Sequence, residues 1–160
     1  MMRYELSAII STQSVLGLIC AQHQSARLVA LPVADIVLVP VTQDLVLELD
    51  ETGTRVSVET GFWQLSVGVE GLVVAGSVRG RIAYLEADYV GREGRQTAAV
   101  WQSGETIYGP MILGRNEPFP AEGNSPICGA LRHLGVISAG HRDEFVVAGL
   151  GRFRRTVDWC

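Results

Sequence analysis

Lysine is absent from this chain: all 13 cationic residues are arginine. Arginine alone suits bidentate contacts, but a GC-rich coding bias explains the pattern more simply. Cysteine is scarce. Cys20, Cys128 and Cys160 make an odd set of three with no CxxC pair, which argues against a disulfide framework and for a reducing, cytoplasmic setting. Long apolar runs are also missing. Ile36 to Val41 is typical, and Pro40 interrupts it far short of a bilayer span. Met1-Met2-Arg3-Tyr4-Glu5 has no basic segment leading into an apolar stretch, so no signal peptide is expected. A net charge of −4 and a pI near 5.3 leave no cationic excess for phosphates, so neither nucleic acid nor an anionic membrane is expected as partner.

What remains is apolar and ordinary in size. The 160 residues are 48% hydrophobic, and a chain of this length buries roughly 70% of its unfolded surface. No repeat or linker is visible, so residues 1–160 read as one domain. Tyr4 to Ile10 is β-compatible, and Ser11-Thr12 precede a short buried helix through Val15, Leu16, Leu18, Ile19 and Cys20. Arg27 to Leu31 and Ile36 to Val39 read as short strands set off by Pro32 and Pro40. Thr42 is placed to cap a helix with Asp44 in its first turn, stopping near Gly53.

Arg55 to Glu59 fits a brief edge strand. Leu65, Val69, Leu72, Val73 and Gly76 fall at helical spacing, against the weak helix propensity of Gly68, Gly71 and the valines. Arg81–Val90 and Arg95–Gln102 form a hairpin, while Gly109 to Asn124, with three Pro and three Gly, reads as one long loop. Ser125-Pro126 then caps a helix carrying Ile127, Ala130, Leu131 and Leu134 on one face, ended by Gly135. The expected class is α+β: a mixed or mainly antiparallel sheet with a hairpin at 81–102, flanked by three to four helices.

The hairpin concentrates the chemistry. Glu86 and Asp88 point to one face of their strand, about 7 Å apart, a separation within the roughly 6.5–9.5 Å of inverting glycosidase pairs. Ala83, Leu85, Ala87 and Tyr89 take the other face, so the plainer reading is a polar, solvated or arginine-paired surface opposite a core-facing stripe. Gly91-Arg92-Glu93-Gly94-Arg95-Gln96 leads into a strand, not a helix, which makes it a hairpin turn and not a phosphate loop. Cys128 is the best nucleophile by position, in the first turn of its helix with His133, His141 and Asp143 available by type. A small thiol in Ile-Cys-Gly-Ala is more simply core packing. No Cys or His spacing fits zinc, and no cofactor or metal is expected.

Tyr84–Trp101, Ala130–Val136 and the closing Asp143-Glu144-Phe145, Gly149-Leu150-Gly151-Arg152 and Asp158-Trp159 together resemble small bacterial immunity proteins of polymorphic toxin systems, of the contact-dependent inhibition and Rhs types. The resemblance implies a cytosolic protein, not an enzyme, that binds a cognate toxin domain and covers its active or substrate-binding surface. Glu86, Asp88, Arg92, Glu93, Glu117 and Phe119 are the expected contacts: carboxylates and an aromatic flanked by acids suit an interface anchor. Two alternatives stand beside it. One is a small hydrolase or transferase using Cys128 with a histidine, or the Glu86/Asp88 pair. The other is a homodimer or larger homo-oligomer, suggested by a mean hydropathy of +0.23.

Overall fold

Six strands form one antiparallel sheet in the computed structural model, which describes residues 3–160. Met1 and Met2, part of the segment read for a signal peptide, lie outside the described residues. The strands are β1 (Arg3–Thr12), β2 (Val29–Ala30), β3 (Ile36–Pro40), β4 (Ile82–Val90), β5 (Glu93–Gln102) and β6 (Glu105–Leu113), in the spatial order β2-β3-β1-β4-β5-β6. The helices are α1 (Gln13–Gln22), α2 (Gln43–Leu49), α3 (Val67–Gly76), α4 (Pro126–His133) and the single turn α5 (Glu144–Val147). This is a single-domain α+β fold, as the residue pattern implied. No helix among the described residues is long and apolar enough to cross a membrane.

Both faces of the sheet are covered. On one, Leu6, Ala8, Leu85, Ala98 and Val100 pack with Ile127, Ala130 and Leu131 of α4. On the other, Ile9, Val39, Tyr84 and Ala99 pack with Leu16 of α1, Leu45 of α2 and Val69 and Val73 of α3. Each fully buried Leu, Ile or Val among them contributes about 1.5–3 kcal/mol. Strands buried on both faces lose the polar alternation of a half-solvated sheet. The outward-facing polar surface expected of β4 is therefore replaced: eight of its nine residues are buried, Glu86 and Asp88 among them.

The helix starts follow the capping chemistry. Thr42 Oγ1 accepts from the Leu45 amide at 3.3 Å, Ser66 Oγ from Val69 at 3.1 Å and Ser125 Oγ from Cys128 at 3.2 Å. Thr12 occupies the N-cap of α1 but bonds the Ser14 hydroxyl instead of an amide. The strand expected at Arg55–Glu59 reduces to one bridge, Arg55 to Ser66, followed by a 3-10 turn at Val58–Thr60 capped by Ser57.

The long loop expected from Gly109 is in its first part a strand. β6 pairs with β5, and two residues, Gly109 and Pro110, stand opposite Ala99 alone between the pairs Ala98↔Met111 and Val100↔Tyr108. That two-against-one count is a β-bulge. An outermost strand tolerates proline, and Gly109 takes φ 77°, with the Ala98 carbonyl 2.4 Å from where a Cβ would sit. Composition alone made this stretch look irregular.

Candidate functional site: the hairpin end of the sheet

Antiparallel pairing brings the start of β1, the end of β4, the start of β5 and the end of β6 to one end of the sheet. Arg3 stands opposite Val90, Val90 opposite Glu93, and Gln96 opposite Leu113. Gly91-Arg92 forms the two-residue turn, with Gly91 at φ 63°. Gly94 follows because a Cβ there would lie 2.1 Å from the Asp88 carbonyl oxygen and 2.7 Å from the Tyr89 Cα. The loop after β6 wraps this end. It sends Arg115 to Asp88 on one face and Phe119 to Tyr89 on the other, ring centroids 5.6 Å apart.

Of the six residues expected to contact a partner, five gather here. Arg92, Glu93 and Glu117 are exposed, Phe119 is half-exposed, and Asp88 is buried under Arg3 and Arg115. Glu117 and Phe119 reach the hairpin on the loop after β6, which Phe119 fixes against Tyr89 and Arg115 against Asp88. Glu86 sits one step further along the same strand face and is 0% exposed, so it touches no partner directly.

The two carboxylates do different work. Glu86 accepts from the Trp63 amide at 2.8 Å, the Gln64 amide at 3.0 Å and the Tyr84 hydroxyl at 2.6 Å. Burial pushes its pKa up, and these three donors oppose that rise. Asp88 takes a bidentate Arg3, with both bonds at 2.9 Å, and a third contact from Arg115 at 3.3 Å. The hydrogen bond and charge of Arg3 hold its pKa below the ordinary carboxylate value, against partial burial. Both acids are engaged with donors that belong to the fold. That favours structural roles over an acid/base pair.

Sequence reasoning missed Trp63 and Arg95. Glu86 anchors the backbone amides of Trp63 and Gln64, and the Arg95 guanidinium lies over the Trp63 ring, 4.0 Å from Cζ to the centroid. Thr97, the residue opposite Glu86, ties the same segment from its other end by donating to the Gly61 carbonyl at 2.8 Å. No local signal links residue 63 to residue 95. The only hint was that Arg95 is itself the cross-strand partner of Asp88.

Cys128, in the first turn of α4, is 1% exposed, and burial pushes its thiol up, away from a reactive thiolate. His133 directs Nδ1 to the Gly129 carbonyl at 2.8 Å and stacks on Tyr108 at 4.6 Å. His141 is exposed. Among the described residues no histidine hydrogen-bonds to Cys128, so the arrangement supplies a packed thiol and not a charge-relay pair. No group of three or more His, Cys, Asp or Glu that could hold a metal ion occurs among the described residues.

No family model matches this chain, and comparisons with curated proteins and with solved structures found no match. The class is thus set by the fold and by this end of the sheet: an α+β protein with a charged hairpin tip beside an open strand edge.

Proposed function

We propose that this protein is a cytosolic immunity protein that seats a cognate toxin domain on the hairpin end of its sheet and covers that domain's active or substrate-binding surface. The observation that carries the reading is the convergence at this end. Arg92, Glu93 and Glu117 form a charged rim, Phe119 offers a half-exposed ring, and β6 runs along the outer edge with Ile107, Met111 and Ile112 exposed. An aromatic anchor, aliphatic neighbours and a polar rim are the parts of a protein-binding surface. An outermost strand also presents backbone N–H and C=O groups to a partner.

Co-expression with a candidate toxin domain from a neighbouring gene tests the proposal. The expected result is growth rescue by the wild type and loss of rescue when Phe119→Ala is combined with Arg92→Glu. Absence of rescue by the folded wild type sinks it. The exposed β6 edge favours one second reading, a homodimer in which two copies pair β6 to β6. Sedimentation of wild type against Ile107→Lys distinguishes it: a dimer that Ile107→Lys converts to monomer supports self-pairing, and a wild-type monomer rejects it.

A further inference from the structure

Three arginines meet at the hairpin end around a single paired carboxylate. Arg3 and Arg115 both reach Asp88, at 2.9 and 3.3 Å, and both side chains remain more than half exposed, at 64% and 57%. Arg95 comes from the strand position opposite Asp88. It forms no hydrogen bond or ion pair among the described residues, and its Nε is buried without a partner. None of the other acids on this sheet face forms an ion pair with it among the described residues. Glu86 is engaged by two backbone amides and Tyr84, Glu5 accepts from the Thr156 amide at 3.3 Å, and Glu93 stands at the exposed turn. Burial first, then the like charge of Arg115, lower the Arg95 pKa, and the charges of Asp88 and Glu86 only partly oppose that fall.

The Trp63 ring covers one face of the Arg95 guanidinium. The planar fork is thus held in place, which lowers the ordering cost of each bond it forms. Arg115 lies two residues beyond β6, so the cluster adjoins the end of the edge strand, while Phe119 packs on Tyr89 across the sheet.

We infer that Arg95, Arg115 and Arg3 form an oxyanion cradle, built on Trp63, that receives a carboxylate side chain presented by a protein partner. Guanidinium groups pair carboxylates bidentately, and these bonds are about twice as strong as neutral ones. Asp88 is the resident competitor: it holds Arg3 and Arg115 in position, and it takes up donors that the incoming group would use. The partner's identity rests on the binding reading above, whereas the cradle does not.

The test follows the arginine Nε–Hε signals of the full chain by NMR while a capped tri-glutamate peptide is added, with inorganic phosphate and chloride as separate arms at matched ionic strength. The peptide is expected to shift Arg95 and Arg115 saturably. Arg95→Gln and Arg115→Gln should each weaken binding by about tenfold, the size of one charge-assisted bond. Asp88→Asn should tighten it by freeing donors. Arg115→Gln lies on an exposed side chain, so it reports on the cradle even if Arg95→Gln disturbs folding.

No saturable shift in any arm overturns the inference, as does an unchanged affinity in Arg115→Gln. Saturation by phosphate but not by the peptide overturns the assignment to a protein carboxylate. Growth rescue by co-expression is a separate readout, so the immunity reading and the cradle can fail independently.

Discussion

Replacing Glu86 by glutamine changes one atom in a site where three donors converge. In the wild type Oε1 accepts from the Trp63 amide at 2.8 Å, and Oε2 accepts from the Gln64 amide at 3.0 Å and the Tyr84 hydroxyl at 2.6 Å. A glutamine keeps one acceptor oxygen. If that oxygen serves Trp63, the new amino group can donate to a reversed Tyr84 hydroxyl but faces the Gln64 N–H, donor against donor. One charge-assisted bond is lost, and a backbone amide at the edge of the core is left without an acceptor. Each of these costs about 1.5–3 kcal/mol in a buried setting, and since some relaxation is available the expected loss is about 2–4 kcal/mol. For a chain of this size that corresponds to a fall in Tm of roughly 5–15 °C. Urea unfolding followed by far-UV circular dichroism and tryptophan fluorescence measures it. Because Trp63 is held by this carboxylate, its emission should change in the native baseline as well. A loss below about 1 kcal/mol would show that Glu86 does not anchor the Trp63 segment, and the positioning of Arg95 would need another account.

Asp88 has a depressed pKa, so its contribution is present above the ordinary aspartate value of 3.8 and is lost as pH falls through the lower folded value. Asp88→Asn should therefore flatten the acid limb of a stability–pH curve below about pH 4, and an unchanged limb in the variant counts against the Arg3–Asp88 pair. Glu86, with its raised pKa, works in the opposite sense. Its linkage favours the folded state below the ordinary glutamate value of 4.5 and weakens as pH rises through the higher folded value. Gly94→Ala meets the Asp88 carbonyl at 2.1 Å and should destabilise by about 1–3 kcal/mol in denaturant titration; a neutral substitution would mean that the hairpin register relaxes easily. In a thiol titration of the native protein, exposed Cys160 should react first and buried Cys128 only on unfolding. Fast native labelling of Cys128 would revive a reactive-thiol reading.

Much of the local structure was legible residue by residue, because it depends on neighbours in the chain. Thr42 and Ser125 cap helices through their own hydroxyls, Pro126 opens α4, and Gly91 turns the β4–β5 hairpin, whereas Glu93 to Gln96, expected in the turn, already belong to β5. These interactions span a few residues, and the side-chain types that make them are few. Proline and glycine misled where they serve an edge: Gly109 and Pro110 form a bulge in β6 instead of a loop. The reason is that strand position within a sheet decides whether proline is tolerated, and position is not a local property.

The sequence by itself determined the α+β class, the hairpin, the acidic balance and the short list of charged and aromatic candidates. Only the tertiary structure decided what those candidates do. The segment before α3 folds its Trp63 and Gln64 amides onto Glu86, turning an expected surface acid into a buried anchor. Cross-strand pairing sets Arg3, Arg95 and Arg115 around Asp88 from positions far apart in the chain, and it carries Phe119 to Tyr89. Burial and charge act through space, so the difference between a solvated carboxylate and an anchored one appears only when the layers close.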